Sequence, residues 1–278
     1  KALEDQAAYA VLLTIAVFPG STAPATLTAI TQHSENNIAD ILGQLQRLAL
    51  IFSAQDTAHG NTHRFSMLPL TREYLIAQLE ASTETQLKMK WLKYYQEQLL
   101  PYQTLNWREW QDYSVIDAEW ENLQALVEWC IATGQYDAFS QLWQGLRGYT
   151  HLRGYWNERQ GWLNWWLAQA QEKGKAIAQT QALRDLGWSL TLIGQPQQLE
   201  QANHYFNQAW QQSEDPSLQL DIAIEYVLLY LVQNQLADAQ QWIETAEALL
   251  QKAQLAADTK HEQSIRLLYY TAQLYYHQ

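Results

Sequence analysis

Residues 195–210 read QPQQLEQANHYFNQAW, and two other stretches fall into register with them: YWNERQGWLNWWLAQA at 155–170 and QLADAQQWIETAEALL at 235–250. Each copy begins 40 residues from the next. Gly154, Gly194 and Asn234 stand directly before the three copies. Gly and Asn tolerate the left-handed backbone that stops a helix, so each should end one helix and precede another. Self-similarity at this period is the mark of a helical solenoid, in which each hairpin buries its apolar face against its neighbours. Small and bulky residues recur with a fixed mutual spacing: Ala202, Phe206 and Ala209, then Ala239, Ile243 and Ala246. Alanine lets two helices approach closely and the bulky residue fills the gap to the next pair. The copy after Gly154 is degenerate, with Arg159, Leu163 and Trp166 in those positions.

This spacing resembles the tetratricopeptide pattern, whose second helix carries A-x3-F-x2-A. Gly187 sits at its first-helix glycine and Pro216 near its terminal proline. The period exceeds the standard of about 34 residues, so the repeats are read as elongated. The resemblance implies a ligand groove lined mainly by first helices. Projected onto this chain, it places Gln144, His151, Arg184, Trp188, Thr191, Asp221 and Ser264 along that groove. Each also has a plain reading as ordinary surface, because only a minority of interface residues carry binding energy.

Ahead of the repeats, the chain has a different grammar. Residues 4–17 read as a helix ended by Phe18-Pro19-Gly20, and residues 25–31 as a short second helix. Ser34 caps a third over 35–50, with Ile38, Ile41, Leu42, Leu45 and Leu48 on one face. Residues 51–54 and 63–67 predict two short strands joined by a polar loop. Three helices followed by a two-stranded wing form the winged-helix pattern. Helix resumes at Pro69, runs to about Ala81, covers 83–100 until Pro101, and returns over 116–132 until Gly134. Residues 102–114 read as irregular. The expected fold class is all-α with a small β wing, divided into a winged-helix domain over 1–80, a helical linker over 81–133 and repeats over 134–278.

Composition supports this organisation and excludes several function classes. Apolar residues make up 47% of the 278, enough for a substantial core, and 11 Gly with 6 Pro leave long stretches for helix. Seventeen basic against 29 acidic side chains give a net charge of −12, and neither half is basic. Nucleic acids and anionic membrane surfaces need clustered basic residues, so both are disfavoured as partners. The third helix, which reads DNA in winged-helix transcription factors, offers Arg47 against Glu35 and Asp40. The single Cys130 excludes an internal disulfide and fits a reducing, cytoplasmic compartment. It reads as a small buried hydrophobe rather than a nucleophile. No apolar run reaches membrane-spanning length. Helical patterning already under way at Leu3 and still running at Gln278 suggests part of a longer protein.

A winged helix feeding into a helical solenoid resembles the middle and C-terminal part of the STAND-class signalling ATPases of the NB-ARC type. VLLTIAVFPG at 11–20 is similar to the start of their winged helix, written L-x-x-L-A-v-F-p-g. AEWENLQALVEWCIATGQYDAF at 118–139 is similar to the acidic-Asn-Leu helix and Gly-ended turn that follow it in bacterial members, and LRGYWNERQGWLNWWL at 152–167 continues the match. The resemblance implies signal transduction. The repeats would bind a protein or small effector, the winged helix would relay that event to an upstream nucleotide-binding domain of the same chain, and ATP or ADP would sit only in that absent domain. It also implies a hinge at RFSMLPLTREYL, residues 64–75, where relatives carry Met-His-Asp. Here Met67 matches while Leu68 and Pro69 replace the His and Asp. Leucine cannot donate a hydrogen bond to phosphate, so no nucleotide-contacting residue is carried over. In this hinge Pro69 suits a first helical turn, Leu70 and Tyr74 are expected to be buried, and Arg72 to face a neighbour.

Motifs for chemistry are absent. Gly174-Lys175 is the chain's one Gly-Lys pair, with Gln169 where a phosphate-binding loop needs its first glycine and Ala176 where it needs Ser or Thr. His59 and His63 stand four residues apart, in and at the edge of a polar loop, without further metal ligands nearby. Asp117, Glu119 and Glu121 read as a capped, solvated helix start rather than a general-acid pair. Trp156, Trp162, Trp165 and Trp166 read mostly as core between hairpins. The expectation is a non-enzymatic regulatory fragment without cofactor or metal of its own. A DNA-binding regulator with a repeat sensor and a plain repeat scaffold are the alternatives.

Overall fold

The computed structural model describes residues 6–57, 62–104, 112–252 and 255–277. Over these residues the protein is mostly helical with one two-stranded antiparallel sheet. It divides into two compact units, residues 1–153 and 154–278.

The first unit begins with α1 (Gln6–Ala16), α2 (Pro24–Thr31) and α3 (Glu35–Arg47). The Ser34 hydroxyl accepts the Asn37 amide at 3.3 Å and caps α3 as expected. Ile38, Ile41, Leu42 and Leu45 form the buried face of α3 and pack in one core with Val11, Leu12, Ile15 and Leu27. The helix ends at Arg47, short of Leu50. Ala49 enters the left-handed region at φ 55°, and the Leu50 amide reaches back to the Leu45 carbonyl at 3.0 Å, the Schellman closure.

Strands β1 (Phe52–Asp56) and β2 (Thr62–Ser66) pair in the register Phe52↔Ser66 to Asp56↔Thr62, shifted by a residue or two from the expected strands. Thr22 adds a bridge to Phe65 through two backbone bonds of 2.8 Å. This pins the turn before α2 to the hairpin. Next follow α4 (Pro69–Gln78), α5 (Ala81–Thr104), α6 (Ser114–Ala132) and α7 (Tyr136–Leu152). Pro101 does not end α5; the helix continues to Thr104. Proline costs a helix the bond to the carbonyl four residues back. That carbonyl belongs to Glu97, on an exposed stretch of the helix, where water can satisfy it. Most of the segment expected to be irregular, residues 105–111, lies outside the described residues, as does His59.

The second unit contains α8 (Trp156–Glu172), α9 (Ala176–Ile193), α10 (Pro196–Gln212), α11 (Pro216–Val232), α12 (Leu236–Lys252) and α13 (Ala257–His277). The 40-residue spacing proves to be two steps of twenty. Gly134, Gly154, Gly174, Gly194 and Asn234 all adopt positive φ, from 56° to 75°, one at every twentieth residue except 214. There the turn is made instead by Ser213, Asp215 and Pro216, with Asp215 capping α11 through the Ser217 amide at 2.8 Å. After Gly134, Gly174 and Asn234 the same closure recurs, the next amide returning to a carbonyl five residues back at 2.8–2.9 Å. Gly174, in sequence a failed phosphate-loop candidate, is therefore a helix stop.

Helices joined by such short turns fold back on one another. α10 packs against α9 and α11, and α12 against α11 and α13, while α9, α11 and α13 also touch in succession as one row. Ala202, Phe206, Ala209, Ala239, Ile243 and Ala246 are all buried, and so are their degenerate counterparts Arg159, Leu163 and Trp166. Gly187 has a steric reason to be glycine: a Cβ there would lie 2.7 Å from two Phe206 ring carbons. Of the tryptophans singled out in this region, Trp162 and Trp166 are buried and Trp156 and Trp165 half-buried.

Candidate functional site

Two buried polar constellations stand out, one in each unit. In the first unit the turn Pro19-Gly20-Ser21 is held from three sides. Asn122 on α6 accepts the Gly20 amide at 3.1 Å and donates to the Ser21 carbonyl at 2.8 Å. Arg64 on β2 donates through Nη2 to the Ser21 carbonyl at 2.7 Å and through Nε to the Ser21 hydroxyl at 2.8 Å. Arg72 on α4 donates to the Gly20 carbonyl at 3.3 Å. A Cβ at Gly20 would stand 2.5 Å from the Glu121 carboxylate and 3.3 Å from Asn122 Oδ1, so a side chain there would displace the exposed Glu121 and crowd the clamp. The two sequence stretches that carry the family resemblance, Phe18-Pro19-Gly20 and Glu121-Asn122-Leu123, thus meet across roughly a hundred residues of chain.

Glu119 completes this clamp and corrects the expectation of a solvated acidic helix start. It is 7% exposed, pairs with Arg64 Nη1 at 2.7 Å, and accepts from the Tyr95 hydroxyl and from Asn122 Nδ2 at 2.9 Å. A buried carboxylate survives only when so satisfied. Burial, then the Glu119 charge, pushes the Tyr95 hydroxyl well above its ordinary pKa, so it stays a donor. Asp117 instead binds Arg153 and the Tyr149 hydroxyl.

The hinge residues divide. Met67 is buried in the core, and Pro69 opens α4. Leu68 is 53% exposed. Leu70 and Tyr74, expected inside, are 79% and 66% exposed; Leu75 is buried in their place, with Ile76 and Leu79 half-buried against the core. Arg72 does face a neighbour, the Gly20 carbonyl. Burial lowers its pKa, partly offset by Glu121.

In the second unit, Arg184 on α9, Asp221 and Glu225 on α11, and Gln263 and Arg266 on α13 form a ladder across the helix row. Arg184 donates to Glu225 through Nη2 at 2.6 Å and Nε at 3.0 Å, and pairs with Asp221 at 3.1 Å. Arg266 pairs with Asp221 at 2.5 Å, reaches Glu225 at 3.5 Å, and donates to Gln263 Oε1 at 2.7 Å; Gln263 donates to Asp221 at 2.9 Å. Burial alone would lower the Arg184 pKa, but the Asp221 and Glu225 carboxylates outweigh it and hold it above the ordinary value. With its charges matched internally, the ladder offers neither a free base nor a free acid. Its chemistry is that of a pin joining three helices.

Of the expected groove residues, Arg184 and Asp221 come together in this ladder. Trp188, 6% exposed, packs beneath the Arg159 guanidinium at 5.5 Å, and the buried Thr191 hydroxyl donates to the Gly187 carbonyl, so neither lines an open groove. Ser264 bonds the Lys260 carbonyl within α13. Gln144 is exposed and His151 half-buried, both on α7 of the first unit. Glu225 and Arg266 were missed in sequence, although Arg184, Glu225 and Arg266 stand 41 residues apart with alternating charge. The 40-residue register of the copies hides them, since it sets Arg184 against Ile224 and Ser264. Cys130 is buried, and burial pushes its thiol pKa up to about 12. Among the described residues no group of three His, Cys, Asp or Glu side chains could hold a metal, and no helix is long and apolar enough to cross a membrane. No family model, no curated protein and no solved structure matches this chain.

Proposed function

We propose that this chain is the regulatory and sensor part of a STAND-type signalling ATPase. In this reading residues 1–80 form a winged-helix domain, residues 81–133 a helical linker, and residues 134–278 a tetratricopeptide-like superhelix that takes a protein or small effector. The observation that carries it is the clamp on Pro19-Gly20-Ser21. A relay must pass displacement of one element to others without slack, and here β2, α4 and α6 grip a single turn through Arg64, Arg72 and Asn122. Moving α6 would pull that turn and the wing together, giving an element with two packings that effector and ATPase could each bias.

Two further observations support an interaction role. α13 leaves Ile265, Leu268, Tyr269, Tyr275 and Tyr276 exposed along its length, an apolar surface of the kind that marks binding faces. The third helix, α3, carries Arg47 as its one basic residue, poorly suited to phosphate contact. The test begins with the reading frame upstream of Lys1. A G-x-x-x-x-G-K-[ST] loop following a strand is the expected result, and a start codon close to Lys1 would refute the ATPase reading. In the full-length protein, Asn122→Ala should then change the basal ATPase rate several-fold; an unchanged rate would refute the relay through this clamp.

A further inference from the structure

Beside the clamp lies a cavity of about 340 Å3, formed between the start of α2, β2, α5 and α6 within the first unit. An apolar cavity of about 150 Å3 admits one benzene ring, so this volume suits about two fused rings, and it falls within the size range of small-molecule sites. Its floor is the Arg64–Glu119 pair, matched charge for charge, so no net charge is left to draw an ion into it. Its walls are mainly apolar or aromatic, including Tyr94, Tyr102 and Ala118, with the 51% exposed Val115 among the lining. The lining also carries polar side chains, Thr26, Thr62, Tyr95, Gln98 and Ser114 among them, and two of its polar groups keep hydrogen-bonding capacity. The Tyr94 hydroxyl shares one hydrogen bond with Thr26 at 3.1 Å and keeps further capacity, and burial raises its pKa, so it remains a neutral phenol. The exposed Gln98 carboxamide offers both donor and acceptor, with no partner among the described residues.

We infer that this cavity is a binding site for a neutral, planar, bicyclic heteroaromatic molecule with a hydrogen-bonding edge, held between aromatic walls and read by Gln98 and Tyr94. The site is formed by residues between Ala23 and Leu123, and it stands whether or not an ATPase domain precedes the chain. Because α2, β2, α5 and α6 all contribute to it, an occupant would tighten the same elements that the clamp joins.

The test uses the full 278-residue chain and quinazolin-4-one as the probe, followed by isothermal titration and by the melting temperature. Saturable one-to-one binding with a raised melting temperature is expected. Ala118→Phe, which places a ring inside the cavity, should weaken binding at least tenfold, and Gln98→Ala several-fold. Should Ala118→Phe fail to melt cooperatively, Val115→Trp at the exposed lining position serves the same purpose. The anion 1-naphthoate should bind at least tenfold more weakly than the probe. Absence of saturable binding up to the probe's solubility, or equal affinity in both filled variants, would overturn the site. Equal affinity for 1-naphthoate would overturn its preference for a neutral ligand.

Discussion

Replacing Glu225 by Leu should be the most damaging single change in the second unit. Glu225 is 1% exposed and accepts from Arg184, with Arg266 at 3.5 Å. Removing it leaves Arg184 buried, at 5% exposure, with Asp221 as its remaining carboxylate partner in the ladder, and Arg266 competes for that same carboxylate. Breaking a buried ion pair by deleting one partner costs about 3–5 kcal/mol, because an uncompensated charge stays inside. The double variant Arg184→Met with Glu225→Leu should recover most of that loss. It removes both uncompensated groups while Asp221 and Arg266 keep each other at 2.5 Å. Urea unfolding gives the cycle, with hydrogen exchange of the α11 amides assigning the change to the second unit. A coupling of about 1–3 kcal/mol between the two sites is expected. A cost below about 1 kcal/mol for Glu225→Leu, or additive single variants, would refute the view of the ladder as a pin.

Three further outcomes are expected. Gly187→Ala should destabilise the second unit by about 1–3 kcal/mol through overlap with the Phe206 ring, and Phe206→Leu should partly rescue it in urea titrations. Ala49→Gly should stabilise the first unit by about 0.5–1 kcal/mol, since Ala49 is exposed and pays for its left-handed φ of 55° without gaining any packing; thermal melts read the change. The Cys130 thiol is raised from 9.0 to about 12 in the folded protein, so the unfolded chain loses this proton first. Its contribution to stability is complete below pH 9 and is lost as pH rises towards 12. Cys130→Ala should therefore flatten the fall of stability over that window, and native protein should resist thiol reagents at pH 8 until urea is added.

The helix turns and close helix contacts of the second unit were legible because their signals are local. Glycines at a fixed pitch and Ala-bulky-Ala spacing act within one helix and its turn, and every residue so identified is buried or turning. α3 was legible for the same reason, four of its five expected face residues lying buried on one stripe, while Leu48 is the C-cap and is 40% exposed. α4 was misread because apolar side chains surround it. Leu70, Tyr74, Leu75, Ile76 and Leu79 leave periodicity without a preferred face, and the core already built by α1 and α3 selected Leu75. Pro101 was misread because a proline stop assumes a carbonyl that cannot reach water. The clamp could not be read at all. Its bonds to the turn join residues from 43 to 102 positions apart, and nothing local to Glu119 distinguishes it from its exposed neighbour Glu121.

The twenty-residue step between turns limits how this chain can change length. Each step advances the chain by one helix and exchanges the row of α9, α11 and α13 for the row of α10 and α12. Loss or duplication of a single step would set every later helix on the opposite row, exposing surfaces made to be covered and carrying Arg266 away from Asp221. Two steps restore the alternation. A duplication of about 40 residues would insert a complete helix pair with its own turn glycines, and a matching deletion would rejoin two compatible ends. Gains and losses among descendants of this sequence should therefore come in even numbers of helices.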